Sequence, residues 1–503
     1  MVNHHKIDWV ITLLPMLSIS GLSALFFIMP EESNRVLSSI RFFFGDTMGT
    51  YYLVIGLGIF LISLYFCCSH YGNIVLGNKK EKPRYSFFTW GSMMFTCGLA
   101  ADILFYSFSE WIVYATNPHI SQLGSIQAWA GVFPLFHWSF IPWSFYLVLA
   151  VAFGFMIHVQ QRKRLRFSEA CRPILGRQTD GIIGRLIDLL AVFALLAGTA
   201  TTFSVATPLM SIIIQNLLGI SLDRNIITIA IIFLTCAIYT YSLLHGFKGI
   251  SILAKLCIYM FGGLMAFVLL AGGESKYIIE TGFESFGRMI QNFISLATYT
   301  DPLRETNFPH DLTIYYWAYW MVWCVAAPFF IGSISRGRTI RQVIAGGYFF
   351  GVGATLISFI VLGNYSMGLQ TTGMIDFIAQ YTAHGDIYAI IIAMLHTLPL
   401  ANLATLWVLA TMILFYATSF DSIAYTASCY SYKKIESGEA PHKAIQLLWC
   451  ILLILLPTAL VFSDSSMSNI QTVSIIAAFP IGIIMLMIVW SFWKDVNKYI
   501  NDI

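Results

Sequence analysis

Three groups of residues have the types and spacing to hold a small organic cation. The first lies in YYWAYWMVW, residues 315–323. Trp320 and Trp323 are three apart there, and Tyr319 and Trp323 four apart, so one helix face carries a wall of rings. The second is FHWSFIPWSFY, residues 136–146, which supplies Trp138, Trp143 and Tyr146. Ring faces carry partial negative charge and demand no hydrogen bond, so in a low-dielectric interior they suit a bulky cation. The third is Asp102, in the middle of GSMMFTCGLAADILFYSF. A carboxylate at that depth is costly to insert and is expected to face the protein interior or a cavity. It can pair with a cation, take up and release a proton, or bond to a neighbouring helix.

Each of these residues also has a plainer reading. Membrane aromatics usually form interfacial belts or pack against lipid. Two segments that each cluster three or more rings near one level argue for a cage instead. His137 reads as a hydrogen-bonded packing residue, with a proton relay as the alternative. Pro142 removes a backbone bond and is expected to kink its helix near Trp138. Lys255 in ISILAKLCIYM reads as a snorkelling lysine or as a fixed cation. YATSFDSIAYTAS, residues 416–428, offers Thr418, Ser419, Asp421 and Ser422. GTATTFSVATP, residues 198–208, offers Thr199, Thr201 and Thr202. Hydroxyl and carbonyl oxygens of this kind suit a small hard cation, or simple packing between helices.

The elements that must position these groups are membrane helices. The chain has 503 residues, 58% hydrophobic and 11% charged, against about 25% charged in soluble domains. Apolar stretches long enough to span run roughly 9–30, 51–72, 88–109, 132–158, 186–214, 226–245, 250–272, 311–333, 343–363, 403–429, 444–463 and 470–493. That predicts twelve spans, with no cleaved leader before the first. A shorter piece at 385–399 reads as re-entrant, and 276–299 as an amphipathic surface helix. With both termini cytoplasmic, the inner loops hold 21 of the 28 lysines and arginines, Lys6 among them. Nine scattered cysteines show no metal-ligand spacing. There is no nucleic-acid motif, phosphate loop or nucleophile constellation, so no cofactor, nucleic-acid partner or enzyme activity is expected. Five spans separate the start of the third from the start of the eighth. An odd unit repeated must invert, which is a transporter architecture with its site at the midplane.

YWAYWMVW…ISRGRTIR, FHWSFIPW, the MMF…G.A.D stretch, RxxxACRPILG, GRLID and TSFDS together resemble the betaine/choline/carnitine transporter (BCCT) family over nearly the whole chain. The resemblance implies an all-α, LeuT-like inverted-repeat fold. Residues 1–87 would hold two leading helices, 88–272 the first repeat, 273–310 the surface helix and its loop, 311–493 the second repeat, and 494–503 a short tail. It implies a homotrimer in a bacterial cytoplasmic (inner) membrane and a quaternary ammonium substrate. Its aromatic box falls on Trp138, Trp143, Tyr146, Tyr319, Trp320 and Trp323, with Tyr319 replacing a more usual tryptophan. The family's G-x-G-x-G bend appears as Gly98-Leu99-Ala100-Ala101-Asp102, and an aspartate at the last position resembles choline-type members. Thr418 and Ser419 match a family Na⁺ site to which Phe415, Leu99 and Thr96 can add oxygens. A second Na⁺ site is degraded: Leu195 and Ala326 stand where ligands are expected, and Thr199 alone remains. Cys257 occupies the place of the arginine that substitutes for Na⁺ in carnitine exchangers. The expected function is choline uptake, coupled first to H⁺ through Asp102, second to Na⁺, and third by exchange. The alternatives are betaine, carnitine or butyrobetaine carriage and a non-transporting sensor.

Overall fold

The computed structural model describes residues 7–99, 101–219, 222–435, 439–462 and 467–502, so Ala100 and Lys6 lie outside the described residues. Helices form at every predicted span: α1 (Trp9–Ile28), α2 (Gly49–Cys68), α3 (Phe87–Gly98), α4 (Asp102–Ala115), α5 (Val132–His137), α6 (Phe140–Gly154), α7 (Ile182–Leu218), α8 (Arg224–Leu244), α9 (Gly246–Ala271), α10 (Ser275–Gln291), α11 (Ile314–Trp323), α12 (Ala327–Ile334), α13 (Ile340–Thr371), α14 (Ala401–Tyr430), α15 (Lys443–Phe462) and α16 (Met467–Asn501). Among the described residues, eight helical stretches are long and apolar enough to cross a membrane. Two bent pairs bring that to ten. The first and eleventh predicted spans correspond to α1 and α15, whose described apolar portions are shorter. Pairing between strands is confined, among the described residues, to isolated bridges such as Val75 with Thr339.

The two bends build the site. Between α3 and α4 the axis turns by 62°, and between the segment Pro309–Trp323 and α12 by 50°. At the first bend Leu99 is extended, with φ −135° and ψ 131°, although two of the three expected bend glycines are absent. The break is held from outside: Ser419 Oγ on α14 donates to the freed carbonyls of Thr96 (3.1 Å) and Leu99 (2.7 Å). At the second bend Tyr430 OH donates to the freed Val325 carbonyl at 2.9 Å. Broken helices are tolerated at membrane depth where such partners satisfy the backbone.

Span four is interrupted near Trp138, as expected, but not by Pro142. The break falls at Trp138–Ser139, between α5 and α6, where Ser139 has φ −113° and ψ −123°. Pro142 sits in the first turn of α6, where a missing N–H costs little, so it starts the second helix and does not bend the first.

The arginines after α12 act as struts. Arg341 reaches the Cys67 and Ser69 carbonyls at the end of α2, Arg336 pairs with Glu81 at 2.5 Å, and Arg338 lies 4.1 Å over the Trp90 ring. A side chain that donates to a helix's last carbonyls satisfies groups left open by the helix and opposes its negative dipole end. The α10 helix is amphipathic as expected, with Lys276–Glu280 and Glu284–Arg288 pairs on its polar side and Ile278 and Met289 buried. Its Ile279, Phe283 and Ile290 form a second, exposed apolar stripe. The 385–399 piece contains the short helix Ile387–His396.

Candidate substrate site

A cavity of about 20 Å³ lies where the two bends meet. Asp102, Trp138, Tyr146, Tyr319, Trp320 and Trp323 line one side of it. Cys97, Gly98, Leu99, Thr202 and Ser419 complete the wall. The space is water-sized, and each of the six site residues is at most 7% exposed. The cage is therefore too small for a quaternary amine, and its rings must part to admit one.

Ring contacts hold the cage together. Trp138 meets Trp320 edge to face at 5.5 Å, and Tyr146 lies 5.1 Å from the same ring. Trp143, expected in the box, does not line the cavity. It stands behind Tyr146 and Trp320 at 5.8 and 5.9 Å. Its indole lies so close to Gly98 that a Cβ there would sit 2.8 Å from Cη2. This explains the one bend glycine that survives, and it makes Trp143 a packing wedge behind the cage.

Asp102 opens α4, so its carboxylate sits at the positive end of a helix dipole. Tyr319 OH donates to Asp102 Oδ2 in a very short bond, and Thr202 Oγ1 lies 2.6 Å from the same hydroxyl. Tyr319 has one proton, so while it donates to Asp102 it accepts from Thr202. Tyr319 is where this chain departs from the expected tryptophan, and the departure supplies the only side-chain donor seen on Asp102 among the described residues. Thr202 thus belongs to the substrate wall more than to a cation site.

Of the predicted cation-site residues, Ser419 meets the α3–α4 break, while Thr418 bonds its own helix. Thr418 Oγ1 donates to the Leu414 and Phe415 carbonyls, both at 3.0 Å, while Ser419 Oγ holds the Thr96 and Leu99 carbonyls. These oxygens are of the type a hard cation takes, but the hydroxyl protons now point at the carbonyls and would have to turn away. Leu195 and Ala326 are buried and apolar, and Thr199 bonds its own helix at Leu196 O. Cys257 is buried on α9, and Lys255 is half-buried on the same helix. Asp421 is fully buried and accepts from Ser242 at 2.7 Å, away from the cage.

The sequence reading overlooked Glu110. It is 2% exposed on α4, and its Oε2 accepts from the Trp138 indole N–H at 2.8 Å. Its signal was available: an acid inside ILFYSFSEWIVYA is as costly as Asp102. His137 is partnered at both ring nitrogens, by Tyr114 OH at 2.7 Å and Thr313 Oγ1 at 3.0 Å.

Comparison with known proteins places the chain in a family. Residues 10–501 match the betaine/carnitine/choline family transporter (BCCT) family. Similar proteins include a carnitine transporter of Acinetobacter baumannii, 25% identical over 94% of this chain and 85% of that one. The glycine betaine transporter OpuD of Bacillus subtilis is 27% identical over 95% and 92%. A high-affinity choline transport protein of Escherichia coli is 27% identical over 90% of this chain and 66% of its own length. The solved structure of a Na⁺-coupled sialic acid symporter, substrate-bound and outward-open, superposes with TM-score 0.50 at 12% identity, covering 88% of this chain and 86% of that one. It shares the fold. With its multiple apolar spans, its broken helices meeting at an aromatic cage and a family match over nearly its whole length, this chain belongs to the betaine/carnitine/choline transporter family.

Proposed function

We propose that this transporter takes up choline by alternating access and couples uptake to H⁺ through Asp102. The observation that carries the reading is a carboxylate set among the cage rings. Betaine and carnitine bring a carboxylate that Asp102 repels. Choline brings a cation and a hydroxyl, which Asp102 complements. At about 4–6 Å and an effective dielectric of roughly 20, the attraction is about 3–4 kcal/mol before desolvation. Half of that is worth over tenfold in affinity, by the rule of about 1.4 kcal/mol per decade.

The bonding around Asp102 supports a proton role. With Asp102 ionised, Thr202 donates to Tyr319 and Tyr319 donates to Asp102. A proton on Asp102 reverses both bonds without breaking either, because hydroxyls donate and accept equally well. The carboxyl can therefore exchange its charge for choline's as the cage empties and fills. A second reading is Na⁺ coupling at Leu99, Phe415, Thr418 and Ser419, favoured by the contact of Ser419 with the freed carbonyls at the α3–α4 break. The repeats at 88–272 and 311–493, inward termini, a bacterial inner membrane and a homotrimer complete the proposal.

Binding of labelled choline and glycine betaine to purified protein tests the substrate. Asp102→Gly is expected to weaken choline at least about tenfold and to improve betaine relative to it. Equal choline affinity in the two proteins would sink the charge-pairing role.

A further inference from the structure

The α4 helix carries two buried carboxylates, and only Asp102 reaches the cavity. Glu110 stands behind the cage wall. Its Oε2 accepts from Trp138 Nε1 at 2.8 Å, its Oε1 accepts a very short bond from Tyr114 OH, and the Tyr316 hydroxyl faces the same carboxylate. Trp138 itself lies in the non-helical step between α5 and α6, with φ −114° and ψ 13°. No regular helix fixes the direction of its indole there. Its N–H is tied to one group, the Glu110 carboxylate.

We propose that Glu110 is a positioning residue that sets cation affinity by aiming the Trp138 ring into the cage. The surrounding hydroxyls keep this anchor intact whether or not Glu110 carries a proton. With Glu110 ionised, Tyr114 donates to it, His137 Nδ1–H donates to Tyr114, and Thr313 donates to His137 Nε2. With one proton added, Glu110 donates to Tyr114, Tyr114 donates to Nδ1, and Nε2–H donates to Thr313. Oε2 accepts from Trp138 in both states. A glutamine reproduces the second arrangement: its oxygen faces Trp138 and its amide N–H faces Tyr114. A leucine of similar size leaves the Trp138 donor buried without an acceptor, while Tyr114 turns to His137 Nδ1.

This inference rests on the aromatic cage and not on which amine fills it. Trp138 sees the trimethylammonium common to choline and betaine, so variants at Glu110 shift both ligands alike, whereas variants at Asp102 shift them oppositely. Affinity and Vmax are measured for both ligands. Glu110→Leu is expected to raise both dissociation constants about tenfold, the scale of one unmade buried hydrogen bond, with Vmax changed far less. Glu110→Gln is expected to stay within about threefold of wild type. In a Trp138→Phe background, where the indole N–H is gone, Glu110→Leu adds no further loss. Should Glu110→Leu not fold, Glu110→Asp withdraws the carboxylate by one methylene and is expected to weaken both ligands while keeping the charge. Gln failing as badly as Leu, Asp binding like wild type, or an undiminished Leu effect in the Trp138→Phe background would each overturn the positioning role. Opposite shifts of choline and betaine would overturn it too. A wild-type protein that binds betaine but not choline would refute the substrate reading and leave this one standing.

Discussion

At the scale of single residues, the substitution of Tyr319 for a cage tryptophan is the informative departure. A tryptophan offers a larger ring, but its one N–H cannot also accept. Tyr319 keeps a ring in the wall and adds a hydroxyl that joins Thr202 to Asp102. Tyrosine and aspartate are thus a matched pair, each leaving the other less well satisfied if it is removed. Tyr319→Phe keeps the ring and is expected to weaken choline by up to about tenfold, the net worth of a typical hydrogen bond. Tyr319→Trp restores ring area without the hydroxyl and should behave as the phenylalanine does. Choline binding in the two variants decides this: a tryptophan that restores wild-type affinity would make the hydroxyl irrelevant. Asp102 was legible in the sequence because a charge in an apolar run is a local signal. Its partners were not, since Tyr319 and Thr202 lie 217 and 100 residues away in sequence.

At the scale of elements, the breaks in spans three and eight are made by partners and not by glycine alone. Two bend glycines are replaced in span three, yet Leu99 is extended and its carbonyl is held by Ser419. Gly98 remains for a steric reason: the Trp143 ring passes where its Cβ would be, and that ring is fully buried. Gly98→Ala is expected to destabilise the protein by about 1–3 kcal/mol, as overpacking of a tight core does. It should also push Trp143 toward Tyr146 and Trp320 and lower choline affinity. Thermal unfolding in detergent measures the first effect, and an unchanged midpoint would show that the contact yields freely. Hydropathy located the helices well because burial in lipid is a property of each segment alone. The break of span four falls near Trp138 as expected, but Pro142 does not cause it, because a proline is silent in a first turn. Trp143 was placed in the box by the family resemblance, and its distance from the cavity shows only in three dimensions.

At the scale of the whole molecule, two bent helix pairs from separate parts of the chain face one another across a water-sized space. Ring contacts fill the cage, so a quaternary amine is admitted only when the rings move apart. That is how an alternating-access carrier must work if both sides of the membrane are never open together. Hydropathy and the family resemblance made this architecture legible, whereas the pairing of Asp102 with Tyr319 and of Glu110 with Trp138 needed three dimensions. The central claim is that Asp102 serves substrate and proton in turn. Its most direct test is choline accumulation in proteoliposomes with pH and Na⁺ gradients imposed separately, for wild type and Asp102→Asn. Because proton and choline occupy Asp102 in turn, the account predicts that an outward-directed proton gradient, acid inside, drives accumulation in wild type and that the asparagine variant no longer responds to it. Accumulation driven by Na⁺ alone, the same in both proteins, would contradict it.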